Sequence, residues 1–74
     1  MRRVDVKEFK KAMIEADYDS FVALETATGI DRASLSAIAR GDRNPSWDTM
    51  ASISDALHLS YDGIGRVFFC QELT

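Results

Sequence analysis

The stretch from Gly29 to Pro45, GIDRASLSAIARGDRNP, constrains the fold of this chain more than any other. Gly29 supplies the left-handed backbone conformation that a β-carbon penalises, so it ends one helix and turns the chain. Asp31 is placed to cap the next helix, its carboxylate accepting from free backbone N–H groups. Leu35 and Ile38 lie three apart on one face, Ser34, Ala37 and Arg40 lie on others, and Gly41 stops the helix. The pattern is a helix, a tight turn, and a short second helix that carries small and basic residues outward.

The flanking segments supply the frame. Residues 5–16 (DVKEFKKAMIEA) place Val6, Phe9 and Met13 at helical spacing with Lys7, Lys10 and Lys11 between them, an amphipathic helix with a solvated basic face. After a polar break, Asp19 or Ser20 caps a second helix over 20–28, with Phe21, Leu24 and Thr28 on one side. Phe21 and Val22 fall together in its first turn. Beyond the third helix, Ser46 caps a fourth, with Asp48 favourably placed against the helix dipole and Met50, Ile53 and Leu57 as its buried stripe, helped by Ala51 and Ala56. Trp47 reads as a lid over the core edge, with an exposed binding aromatic as the alternative, and His58 as the end of that helix. Ser60 caps a fifth helix running to about Phe69, with Ile64, Val67 and Phe68 on its apolar face. The expected fold is all-α, a compact five-helix domain spanning 1–74 with its core over about 5–69.

Seventy-four residues allow one small core, and a hydrophobic share of 46% argues for a folded globule rather than a disordered tail. The one cysteine, Cys70, cannot form an internal disulfide; it reads as a small, partly buried apolar residue, in a chain suited to a reducing cytoplasm. No apolar run approaches the roughly 20 residues of a membrane span. A net charge of −3 argues against strong general affinity for nucleic acid, but its distribution is uneven. Arg2, Arg3, Lys7, Lys10 and Lys11 make the N-terminal stretch basic, whereas 44–74 is acidic.

At this point the chain resembles the Cro/repressor-type (XRE) helix-turn-helix domains of phage and bacterial regulators, over roughly residues 6–69. The resemblance is carried by the helix lengths, by Gly29-Ile30 in the turn and by Arg40-Gly41-Asp42-Arg43-Asn44-Pro45. The Thr49, Ile53, Ala56-Leu57 and Leu59 pattern completes it. It implies a third helix (about 31–40) in the DNA major groove, and commonly a dimer on a palindromic operator. It places base-facing positions at Arg32, Ala33 and Ala37, with Ser34 and Ser36 as polar flanks and Arg40, Arg43 and Asn44 at phosphate. Physically, Arg32 is the one residue among them able to read guanine bidentately, its alternative being a solvated charge or a partner for nearby Glu25 or Asp31; Ala33 and Ala37 can touch a thymine methyl. Ser34 and Asn44 position the protein by donating to phosphate oxygens.

Three positions depart from the family pattern: Phe21 replaces a polar phosphate contact, Glu25 a small alanine, and Ala39 a common glutamate. They open a second reading, an antirepressor on the same fold that binds a partner repressor through Phe21, Val22, Glu25 and Arg32, the negative charge suiting a basic partner surface. Val67, Phe68 and Phe69 offer more apolar surface than one core needs, so either one phenylalanine closes the core or the three form a homodimer seam. Neither a nucleophile–base pair nor a phosphate-cradling glycine loop is visible, so no enzyme, small-molecule substrate or cofactor is expected. With one histidine and one distant cysteine, no metal site is expected. The expected setting is the cytoplasm of a bacterial or phage-infected cell, with operator DNA, a partner repressor or a second copy as partner, and no membrane.

Overall fold

Each helix begins where a short polar side chain can satisfy the free N–H groups of its first turn. The computed structural model describes residues 4–69 and contains five helices there, with no strand among the described residues. They are α1 (Val6–Glu15), α2 (Phe21–Thr28), α3 (Arg32–Ala39), α4 (Trp47–Ala56) and α5 (Tyr61–Phe68). Asp5, Ser20, Asp31, Ser46 and Ser60 are their N-caps, and each side chain accepts from the backbone N–H three residues on. Ser20, rather than Asp19, caps α2. Cys70 and the N-terminal arginines Arg2 and Arg3 lie outside the described residues.

The turns follow from backbone chemistry. Gly29 sits at φ +77°, and a β-carbon there would meet nothing within 4 Å. Glycine is therefore needed for its torsion and not for space. Gly41 (φ +80°) closes α3, donating its N–H to the Ile38 carbonyl at 3.0 Å while Asp42 donates to Ala37 at 2.9 Å. Asp17 (φ 65°) and His58 (φ 54°) take the left-handed conformation after α1 and α4. The turn after α1 is held by Tyr18 N–H on the Met13 carbonyl at 2.8 Å.

The core gathers Phe9, Ala12, Met13, Leu24, Leu35, Ile38, Met50, Ile53, Leu57, Val67 and Phe68. α2 packs on α3 and α4, and α1 on α5 and α3. Phe9 and Phe68 meet edge to face with ring centroids 6.3 Å apart, the aromatic geometry favoured by the ring quadrupoles. Asp5 N–H donates to the Val67 carbonyl at 2.8 Å, and Arg66 Nε lies 3.2 Å from Glu8 Oε1, so α1 and α5 are also tied at their surface.

Several expectations are corrected by how the helices pack. Val6 is 47% exposed, and Ala12 takes the core position beside Phe9 and Met13. Ala51 faces solvent and Ala56 is half-buried. Trp47 is not a lid: it is 71% exposed, its ring lying against Phe69 with centroids 6.0 Å apart. Val67 and Phe68 are sealed in the core at 2% and 1% exposure, so they cannot form a homodimer seam. Phe69 is half-buried over the core edge.

Candidate nucleic-acid interface

α3 is short, and its start is fixed from two sides. Asp31 Oδ2 accepts from Ser34 N–H at 3.1 Å and Oδ1 from Ser34 Oγ at 2.8 Å. The side chain of Glu25, on α2, reaches across the turn and accepts from the Arg32 N–H at 3.1 Å. Two carboxylates thus serve the otherwise free N–H groups at the positive end of the helix dipole. Leu35 and Ile38 point into the core, with Ala39 at its edge, which leaves the opposite face of α3 outward.

That face holds the residues singled out above. Arg32 and Ala33 are exposed, Ser34, Ser36 and Ala37 half-buried, and Arg40, Arg43 and Asn44 exposed. Arg43 folds back from the loop after α3, donating from Nη1 to Ser34 Oγ at 2.9 Å. Arg40 donates from Nη1 to Ser36 Oγ at 2.9 Å and from Nε to Asp42 Oδ2 at 3.0 Å. Arg32 Nε lies 3.9 Å from Glu25 Oε1. Serine hydroxyls and nearby carboxylates therefore hold the guanidinium groups in place, yet Arg32 and Arg40 stay largely exposed. An exposed planar guanidinium keeps donors free for a base edge or a phosphate.

The electrostatic balance is close to even. Arg32, Arg40 and Arg43 stand against Glu25, Asp31 and Asp42 on the same surface. Bonds from the Ser34 hydroxyl and backbone N–H hold the Asp31 carboxyl below its ordinary value of 3.8, with a smaller contribution from Arg43. Exposed ion pairs of this kind are weak, about 0.2–1 kcal/mol each, so they restrain the arginines without committing them.

The partner surface read from the sequence is only partly assembled. Val22 is exposed. Phe21 is half-buried and packed against the core, on the wall of a groove that α1 and the end of α3 also line. Glu25 stays partly exposed, with one carboxylate oxygen engaged by the Arg32 backbone N–H. That interhelix cap was missed by sequence reasoning. Its signal was an acid four residues before the turn glycine and seven before the next helix's first residue. The Arg43–Ser34 clasp left no sequence signal, since the two residues are nine apart across a turn.

Among the described residues no helix is long and apolar enough to cross a membrane, and no group of acidic, histidine or cysteine side chains converges to hold a metal ion. A family model described as helix-turn-helix matches residues 10–64, from the middle of α1 into α5. No curated protein and no solved structure matches the chain.

Proposed function

Because the chain belongs to the Cro/repressor-type helix-turn-helix family, whose members are DNA-binding regulators, we propose that it is a sequence-specific regulator of repressor type that reads operator DNA with α3. The observation that carries this reading is the outward face of α3 and its exit loop. Arg32, Arg40, Arg43 and Asn44 stay exposed around the small residues Ala33 and Ala37. Small side chains let a helix approach base edges closely, and flanking guanidinium groups meet the phosphates on either side. In this reading Arg32 reads guanine, Ala33 and Ala37 contact thymine methyls, and Ser34, Ser36, Arg40, Arg43 and Asn44 set the register on the backbone.

The test is a salt titration on a duplex obtained by selection from a random pool. The proposal expects retention at low salt and a linear fall of log affinity with log salt. Arg43→Ala should weaken binding on every duplex and reduce the salt slope by about 1. No retained duplex at low salt, with Arg43→Ala also silent, overturns it.

A further inference from the structure

A groove of about 540 Å³ opens between α1, the start of α2 and the end of α3. Its α1 wall is the stripe Val6, Lys10 and Ile14, at i, i+4 and i+8, with Phe21 opposite and Ser36 and Arg40 at the α3 end. Ile14 is 67% exposed and Val6 47%, so two aliphatic side chains stand in water along one helix face. Lys7 and Lys11 follow on the same exposed surface of α1. Among the described residues ion pairs join Arg32 to Glu25, Arg40 to Asp42 and Arg66 to Glu8, and the lysines of α1 take part in none of them. Asp19, at the α1–α2 turn, is the carboxylate on the groove's own wall.

We propose that this groove docks an amphipathic helix of a partner protein, its apolar stripe on Val6, Ile14 and Phe21 and its acidic flank on Lys7, Lys10 and Lys11, and that docking blocks DNA binding. The wall from Val6 to Ile14 spans two helical turns, about 12 Å, which matches an i, i+3/i+4, i+7 stripe of a helix ligand. Charge selects the flank: unpaired ammonium groups beside aliphatic side chains favour carboxylates and disfavour a basic partner. Phosphate gains nothing from Ile14 and Val6, which separates this groove from the α3 face. Ser36 and Arg40 belong to both surfaces, so an occupant seated at the α3 end covers part of the proposed DNA contact. The blocking half of the proposal rests on the DNA reading above, whereas the docking half does not.

The test uses a displayed library of random 16-residue helical peptides as probe, selected on the whole chain, with every enriched peptide then measured on Ile14→Glu. Both Ile14 and Lys10 are exposed, so Ile14→Glu and Lys10→Glu should keep the wild-type unfolding temperature, which is checked first. Enriched peptides should carry an apolar stripe with Asp or Glu beside it, and lose at least tenfold in affinity on Ile14→Glu. Replacing their acids with lysine should abolish binding to the wild type and restore it on Lys10→Glu. The same peptides should release the selected duplex from the protein. Overturning results are enrichment that does not depend on Ile14, enrichment of basic flanks, or a self-associated chain that Ile14→Glu dissociates. A loss of DNA affinity on Ile14→Glu as large as that on Arg32→Ala would equally assign the groove to DNA. Failure of the DNA reading shows separately, as a wild-type chain that retains no duplex while peptide binding stands.

Discussion

Ser54 illustrates how single side chains set the stability of this fold. Its hydroxyl is buried in α4 with no hydrogen-bond partner among the described residues. A buried hydroxyl without a partner carries its desolvation cost uncompensated, so Ser54→Ala should raise stability by about 1 kcal/mol in urea unfolding. A loss of the same size would show that the hydroxyl is satisfied. Asp31 gives the opposite case. Its carboxyl titrates below 3.8 in the folded chain because Ser34 donates to its charged form. A depressed carboxylate contributes stability that is complete above the unfolded value and lost as pH falls through the folded one. Thermal unfolding between about pH 6 and pH 2 should therefore show a smaller acid loss in Asp31→Asn than in the wild type. Equal acid loss in the two chains would remove Asp31 from that role.

At the scale of helices, the caps and turn glycines were legible because their chemistry is local. Ser20, Asp31, Ser46 and Ser60 each act within three residues, and Gly29 and Gly41 act through their own torsions. What local pattern does not contain is which neighbouring element covers a side chain. Val6 satisfied the spacing of the α1 stripe, yet it is 47% exposed, and Ala12 is buried beside Phe9 and Met13. Phe68 and Phe69 are adjacent and chemically alike, but Phe68 is the last helical residue of α5 and Phe69 leaves the helix at φ −124°, ψ 33°; Phe68 lies in the core and Phe69 at its edge against Trp47. This separation is measurable. Phe68→Ala, which empties the site against Phe9, should cost about 3–5 kcal/mol. Phe69→Ala, which removes a half-buried ring at the core edge, should cost clearly less. Equal losses would contradict the assignment of Phe68 alone to the core.

For the whole molecule, the acidic balance sets the conditions of any nucleic-acid encounter. With a net charge of −3, long-range attraction to DNA is weak, and the proposed binding rests on the few guanidinium groups of the α3 face. Those groups are restrained by carboxylates of the same face, as in Arg40 with Asp42 at 3.0 Å. Releasing that restraint has a calculable sign: Asp42→Asn should strengthen binding to the selected duplex, by up to about fivefold if the exposed pair is worth at most 1 kcal/mol. Unchanged or weaker binding would show that Arg40 does not meet phosphate. The pairing of Arg32 with Glu25 across the Gly29 turn was legible as one of its alternatives, whereas the Arg43–Ser34 clasp, nine residues apart, was not.

The central claim, that α3 reads base sequence through Arg32, is tested most directly by parallel selections from a random duplex pool with the wild type and Arg32→Ala. Wild type should enrich a motif containing a guanine that Arg32→Ala no longer prefers, the neighbouring positions being kept, a loss of about 1–3 kcal/mol of discrimination at one base pair. An unchanged motif in the variant, or no motif with the wild type, would contradict it.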